Sequence, residues 1–85
     1  MSIIEIHNRL ETIFQEVFDD DGLHIFLETT VAEIEDWDWM RQVNLIVSCE
    51  TQFQIRFALS EVFAPQNAGE LESLIEVKLA QKANG

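Results

Sequence analysis

The chain has 85 residues, enough for one domain spanning 1–85, and 47% of them are hydrophobic. Its formal net charge of −11, from 16 acids against five bases, argues against a nucleic-acid partner, because binding to phosphates needs lysine and arginine. No apolar stretch approaches the ~18 residues of a membrane span. The single cysteine, Cys49, indicates a reduced thiol. We therefore expect a monomeric cytoplasmic protein whose acidity favours either basic protein partners or simply solubility.

Segment 2–18 is predicted to be the first helix. Ser2 followed by Glu5 has the spacing of a capping box. The three aspartates at 19–21 are expected to lie beyond the helix, because acids are unfavourable at the negative end of the helix dipole, and Gly22 is a natural stop. Apolar residues recur at steps of three and four, namely Ile3, Ile6, Leu10, Ile13, Phe14 and Val17.

Segment 22–37 predicts a long connection, because its periodicity is weak. Thr30 with Glu33 has the spacing to cap one short helical turn within it. A long loop in a small domain needs apolar anchors. The candidates are Leu23, Ile25, Leu27, Val31, Ile34 and Trp37.

Segment 38–53 is predicted to be the second and central helix, with Asp38 as its N-cap. Its apolar residues are too widely spread for one narrow stripe, which predicts burial on more than one side. One stripe contains Met40, Val43, Ile46 and Val47, and a second beside it contains Leu45, Cys49 and Phe53.

After an extended link at 55–57, residues 59–63 predict a brief helix that Pro65 ends. Segment 67–82 is predicted to be the last helix, with Asn67 as its cap and Glu70 completing a capping-box variant. Residues 83–85 are expected to fray. The predicted fold class is all-α, a small four-helix bundle with three longer helices, one short helix and a long loop after the first. The inward face of the last helix is predicted to be Leu71, Leu74, Ile75 and Leu79.

The chain resembles the acyl carrier proteins, a four-helix family with a long first loop. The resemblance covers nearly the whole chain. It is most specific in LETTVAEIEDWD at 27–38, MRQVNLIVSCETQFQIRF at 40–57 and NAGELESLI at 67–75. The family's defining motif is Asp-Ser-Leu at the start of its second helix, where the serine carries a 4′-phosphopantetheine arm. Here the triplet is Asp38, Trp39 and Met40, so the resemblance places Trp39 at the serine position and Met40 as a volume-conserving exchange for leucine.

Attachment of that arm needs a hydroxyl oxygen that attacks the pyrophosphate of coenzyme A. An indole has only an N–H donor. We therefore expect that Trp39 is not charged, that this chain carries no phosphopantetheine, and that the indole is exposed. Two explanations stay open: a natural replacement in a divergent carrier-like protein, or a change from serine in an otherwise ordinary carrier. The family character of the neighbouring residues favours the second.

The resemblance implies a protein that is not an enzyme. It would tether acyl or aminoacyl groups as thioesters and deliver them to enzymes of fatty acid or polyketide biosynthesis. The implied partners are a phosphopantetheinyl transferase and acyl-transfer or condensing enzymes. The pocket that would hold the acyl chain is expected to be lined by Val43, Ile46, Val47, Phe57, Leu59 and Val62. Partner contacts are expected from Glu33, Glu35, Asp36, Asp38, Arg41 and Glu61.

The alternative is a non-carrier interaction module that keeps this fold and uses Trp39 as a binding anchor, since tryptophan is enriched at interface hot spots. Other reactive residue types are predicted to be structural. His7 and His24 are expected at the surface, and Cys49 is expected to be a buried small hydrophobe. The acids at 33–38 lack the spacing and glycine of an EF-hand, so no metal site is predicted.

Overall fold

The computed structural model describes residues 2–30 and 38–84, with side chains up to residue 82. Three α-helices account for most of this part of the chain: α1 (Ile3–Val17), α2 (Trp39–Phe53) and α3 (Ala68–Asn84). A short 3-10 helix, Leu59–Glu61, lies between α2 and α3. Within the described ranges the only extended pairing is an isolated bridge between Thr30 and Asn67. The all-α prediction, with three longer helices and one short one, is confirmed.

Side-chain caps begin the first and last helices, as the sequence predicts. Ser2 Oγ accepts the backbone N–H of Glu5 at 3.2 Å at the start of α1. Asn67 Oδ1 accepts the N–H of Glu70 at 2.8 Å at the start of α3. The Glu70 carboxylate accepts the N–H of Gln66 at 3.0 Å. Each cap satisfies donors that the first helical turn leaves without an intrahelical partner.

Helix α1 ends at Val17 with Phe18 as its C-cap, in agreement with the predicted segment 2–18 and with the three aspartates beyond it. The residue in the left-handed region is Asp19, with φ 52°, and Gly22 has no positive φ. The prediction that Gly22 ends the helix is therefore wrong. A short polar side chain such as that of aspartate tolerates the left-handed region, so the turn needs no glycine. At the other end of the chain, α3 runs to Asn84, two residues beyond the predicted end at 82.

The hydrophobic core lies where α1 packs against both α2 and α3. Its members largely match the predicted apolar faces. Ile3, Met40 and Val47 are exceptions, since all three side chains are exposed, so their prediction as part of the buried faces is wrong. The core also includes Ala68, at the start of α3, which the sequence pattern did not single out. The buried core residues on the helices are Ile6, Leu10, Ile13, Phe14, Leu45, Ile46, Cys49, Phe53, Ala68, Leu71 and Ile75.

The described part of the long loop is anchored by the buried side chains of Ile25 and Thr29, by Leu23 packed against the core, and by its backbone. Ile25 is buried, whereas Leu27 is 57% exposed, so the prediction of Leu27 as an apolar anchor is wrong. Instead, the Leu27 carbonyl accepts the N–H of Gly69 at 2.7 Å, and the Thr29 carbonyl accepts that of Ala68 at 2.9 Å. Sequence patterns miss such an anchor because a backbone hydrogen bond requires no particular side chain. The predicted anchors Val31, Ile34 and Trp37 lie outside the described residues, as does Glu33 of the predicted short turn.

Candidate functional site

The start of α2 is fixed by Asp38 and presents Trp39 to solvent. Asp38 Oδ1 accepts the backbone N–H of Arg41 at 2.9 Å, and the Asp38 carbonyl accepts that of Gln42 at 2.9 Å. Asp38 is thus the N-cap that the sequence predicts. Trp39 is the first residue of the helix, and its side chain is 68% exposed, as expected. Met40 beside it is also exposed.

The residues at this helix start do not fit an attached phosphopantetheine. The arm requires an oxygen nucleophile, and the indole of Trp39 offers only a nitrogen-bound hydrogen. The adjacent carboxylate of Asp38 already serves as the cap. No attachment chemistry is therefore available to the side chain at position 39.

Arg41, predicted as a partner contact, makes two intramolecular contacts. Its Nη1 donates to the carbonyl oxygen of Val17, and its guanidinium lies 5.7 Å from the centre of the Phe18 ring. A cation at the C-terminal end of α1 is favourable both for the helix dipole and for the aromatic face. Arg41 therefore ties the start of α2 to the end of α1, and its contact with a partner stays a prediction.

A cleft of about 370 Å³ opens between α2 and the chain segment that carries the 3-10 helix. Ile46 is buried in the core, whereas Leu59 is 88% exposed. The structure brings together all six side chains that the sequence predicts as an acyl-chain lining. Among the described residues the lining is Val43, Ile46, Val47, Glu50, Phe57, Leu59, Val62 and Phe63.

Two polar side chains of α2 hold the opposite wall of this cleft. Gln42 Nε2 donates to the carbonyl oxygen of Val62 at 2.7 Å. Glu50 Oε2 accepts the backbone N–H of Phe57 at 2.9 Å. Gln42 is buried, and sequence reasoning missed it because glutamine is usually exposed. Its position one turn before the buried Ile46 is the signal that could have identified it.

Glu61, the other described acid predicted as a partner contact, links the 3-10 helix to α3. Its Oε1 accepts Lys78 Nζ at 2.6 Å and the backbone N–H of Ala58 at 2.6 Å. The hydrogen bond from Lys78, followed by that from Ala58, holds the pKa of Glu61 below its ordinary value. Lys78 Nζ also lies 5.8 Å from the centre of the Phe57 ring in the cleft wall. The remaining predicted partner contacts, Glu33, Glu35 and Asp36, lie outside the described residues.

The two histidines differ from each other. His24 is exposed, as predicted, with its Nδ1 3.5 Å from Glu11 Oε1. His7 is half-buried, and its Nδ1 contacts Oε1 of Glu72, which is buried in the core. The expectation of a simple surface histidine is therefore wrong for His7. A sequence signal existed for the burial of Glu72 alone, because this residue lies next to Leu71 and one turn before Ile75 on the inward face of α3.

Cys49 is buried, as predicted. Burial, with a smaller contribution from the negative charge of Glu50, raises the pKa of the Cys49 thiol to about 12. The thiol therefore stays protonated and unreactive at neutral pH, because the thiolate is the nucleophile. Among the described residues no group of three or more histidine, cysteine, aspartate or glutamate side chains is placed to hold a metal ion. No helix in the same part of the chain is long and apolar enough to cross a membrane.

Three α-helices and a 3-10 helix, with an apolar cleft beside a capped α2, define a small carrier-type helical bundle. The fold is similar to the solution NMR structure of a holo acyl carrier protein from Geobacter metallireducens, with a TM-score of 0.85. The two sequences are 40% identical over 93% of this chain and 91% of that chain. The chain therefore belongs to the acyl carrier protein family. A scan against protein-family models and a search of curated proteins give no match.

Proposed function

We propose that this protein is an acyl carrier scaffold whose loading position is blocked by Trp39. The observation that supports the proposal is the cleft of about 370 Å³ beside α2, in which six predicted lining side chains come together. Val43, Ile46 and Val47 follow Trp39 by four, seven and eight residues. They therefore lie one to two turns beyond the exposed helix start, on the same side of the helix.

The chemistry of the cleft fits an acyl chain. An alkyl chain gains about 0.8 kcal/mol for each methylene removed from water, so an aliphatic and aromatic lining favours its retention. Leu59 lies at the solvent side, where its movement would admit the chain. In this proposal the protein does no bond chemistry. Loading belongs to a phosphopantetheinyl transferase, and transfer belongs to acyl-transfer or condensing enzymes that recognise the acidic surface.

The start of α2 is suited to a phosphodiester once position 39 carries a hydroxyl. A helix N-terminus favours an anion, because its free backbone N–H groups and the helix dipole both point toward it. The exposure of the present side chain indicates that a transferase would have access to this position. Both explanations of Trp39, a natural replacement or a change from serine, agree with a carrier scaffold.

The proposal is tested by making Trp39→Ser and treating it with coenzyme A and a promiscuous phosphopantetheinyl transferase. Intact mass is expected to rise by one phosphopantetheine in the Trp39→Ser protein. The unaltered protein and a Trp39→Ala control are expected to gain nothing. A folded Trp39→Ser protein that keeps its mass would contradict the carrier proposal.

The acyl-binding role of the cleft has its own test. After loading with an acyl-phosphopantetheine, the Trp39→Ser protein is expected to show amide shift changes concentrated at Val43, Val47 and Phe57. A second substitution, Val43→Phe, is expected to fill the cleft and to remove most of these changes. Shifts that do not depend on acyl-chain length would contradict binding in the cleft.

A second candidate function is a protein-interaction module. It is favoured by the exposure of Trp39 together with Met40, Val47, Leu59 and Phe63, which are all large apolar side chains. Exposed apolar groups of this kind mark interaction sites in soluble proteins. Here a purified partner of the unaltered protein would bind Trp39→Ala much more weakly. Equal binding by the two proteins would argue against an anchoring role for the indole.

A further inference from the structure

A second hollow adjoins the carrier cleft on the same face of α2. It has a volume of about 450 Å³ and shares two lining residues with the cleft, Val47 and Glu50. Val43, Val47 and Glu50 are separated by four and three residues, so they share one face of the helix, and Gln54 follows four residues later. Trp39 precedes Val43 by four residues and begins this face. One groove therefore runs along α2 from its exposed start to Gln54, its C-cap.

The two parts of this groove differ in polarity. Apart from Glu50, every described residue of the cleft lining is apolar. The polar lining residues of the hollow are Glu50, Thr51, Gln54 and Arg56. The last three are exposed residues, so a ligand in the hollow has access to them. A chain that extends along the cleft therefore passes from apolar side chains to polar ones.

The polar residues of the hollow supply both hydrogen-bond donors and acceptors. Arg56 carries only donors, and the side-chain amide of Gln54 carries both kinds of group. Thr51 Oγ1 donates to the carbonyl oxygen of Val47 at 3.1 Å, so the lone pairs of this hydroxyl remain as acceptors. Glu50 brings a carboxylate, one oxygen of which accepts the N–H of Phe57. The hollow thus contains one acidic and one basic side chain beside two neutral polar ones.

We propose that the hollow binds a hydroxyl group near the distal end of an acyl chain whose apolar part lies in the cleft. This inference rests on the proposed carrier function and names the class of acyl group that the groove would hold. A hydroxyl donates one hydrogen bond and accepts up to two. It therefore accepts from Arg56 while it donates to Thr51 or to Glu50. An acyl group without such a substituent would use the cleft alone.

Other chain ends fit the hollow less well. An unsubstituted alkyl end would displace water from Arg56 and Glu50 without replacing its hydrogen bonds, which is unfavourable for charged groups. A carboxylate end would face Glu50 in a protein with a net charge of −11. An ammonium end would face the positive charge of Arg56. The groove therefore favours an uncharged end that both donates and accepts hydrogen bonds.

The test attaches alkyl chains without a transferase, so its result is separate from that of enzymatic loading. Trp39→Cys introduces a thiol at the exposed helix start, and an N-alkyl iodoacetamide converts this thiol to a thioether. Cys49 is buried and stays protonated at neutral pH, so it does not compete for the reagent. Position 39 and Gln54 are about 22 Å apart along the helix, and a dodecyl tail with its acetamide linker covers most of this distance.

Amide shifts of the ¹⁵N-labelled proteins are compared for four tails of equal length: dodecyl, 12-hydroxydodecyl, 11-carboxyundecyl and 12-aminododecyl. All four are expected to shift Val43 and Val47 in the cleft. The hydroxyl tail is expected to shift Thr51 and Gln54 about two- to tenfold more than the dodecyl tail, the range that one net hydrogen bond supplies. The two charged tails are expected to shift them less than the hydroxyl tail does.

A substitution of the proposed donor gives the second arm of the test. Arg56→Met keeps much of the stem and removes the N–H groups, so the hydroxyl tail is expected to shift Thr51 no more than the dodecyl tail does. Arg9→Met is the matched control, because Arg9 is exposed on α1 and lines neither the cleft nor the hollow. This control is expected to keep the full response. If Arg56→Met does not fold, Thr51→Val replaces it, with Gln54 as the reporter.

Equal shifts with the hydroxyl and dodecyl tails would overturn the proposal, as would larger shifts with either charged tail. Shifts that stay within the cleft for every tail would also overturn it, because no chain end would then reach the hollow. A full response in folded Arg56→Met would remove the donor on which the proposal depends. If the attached tails show the hydroxyl preference but Trp39→Ser is not loaded by the transferase, the carrier proposal alone is contradicted.

Discussion

The backbone N–H of Gly69 donates to the carbonyl oxygen of Leu27 at 2.7 Å, and a Cβ on Gly69 would lie 2.7 Å from that same oxygen. The first turn of α3 thus approaches the loop more closely than any residue with a side chain permits. Because the obstructing atom belongs to the backbone, relief requires the loop or the helix to move. The close contact of loop and helix therefore depends on glycine at this position.

Replacement of Gly69 by alanine is expected to lower the free energy of unfolding by about 1–3 kcal/mol, the usual cost of overpacking. Urea denaturation followed by circular dichroism measures this change. Gly22→Ala is the control, because the nearest atom to its Cβ would be a carboxylate oxygen of Asp20 at 3.6 Å. That substitution is expected to be neutral or slightly stabilising. Equal stability of the two variants would mean that the contact at Gly69 imposes no constraint.

The cap at Asp38 sets where α2 begins and hence where position 39 is presented. Asp38→Ala removes the acceptor of the Arg41 N–H and is expected to cost about 0.5–2 kcal/mol of stability. Asp38→Asn keeps an oxygen acceptor and is expected to cost much less. Thermal unfolding of the three proteins measures the difference. A similar loss in Asp38→Ala and Asp38→Asn would show that the carboxylate charge, and not the cap, stabilises this helix start.

Local chemistry explains which features the sequence predicts correctly. The caps Ser2, Asp38 and Asn67 act on backbone groups three residues away, so their spacing alone identifies them. Helical periodicity likewise identified the buried faces of α1 and α3. The lining of the cleft came from the family resemblance together with the spacing of Val43, Ile46 and Val47 on one helix.

Features that depend on tertiary contacts were not predictable in this way. Gly22 looks like a helix stop, yet the turn after α1 places Asp19 in the left-handed region. Leu27 looks like an apolar anchor, yet the loop is held by its carbonyl oxygen, which accepts a hydrogen bond from the N–H of Gly69. His7 and Glu72 are 65 positions apart in the sequence, and no local sequence pattern predicts that their side chains are in contact.

Replacement of Trp39 by serine is expected to leave the fold intact. The indole is mostly exposed, so its removal gives up little burial, and surface substitutions usually change stability by no more than about 0.5 kcal/mol. The first position of an α-helix also tolerates serine. Urea unfolding of the unaltered protein and Trp39→Ser measures this directly. A loss of several kcal/mol would place the indole in a packed environment and would remove the basis for reading position 39 as a loading position.

The buried thiol of Cys49 is expected to lower the free energy of unfolding at alkaline pH. Its pKa is about 12 in the folded protein, against an ordinary value of 9.0, so between these values the unfolded thiol is ionised while the folded thiol is not. The unfolded state then binds fewer protons, and the free energy of unfolding falls as pH rises, by at most about 1.4 kcal/mol per pH unit. At pH values below the ordinary pKa of 9.0, Cys49 adds no pH dependence to the free energy of unfolding.

Urea unfolding from about pH 8 to about pH 10 should therefore show a steeper fall in the free energy of unfolding for the unaltered protein than for Cys49→Ala, which has no thiol to titrate. The alanine variant starts from a lower stability because it leaves a cavity, so the slopes and not the absolute values are compared. Parallel slopes would mean that the thiol ionises equally in the folded and unfolded states, contrary to its complete burial in the core.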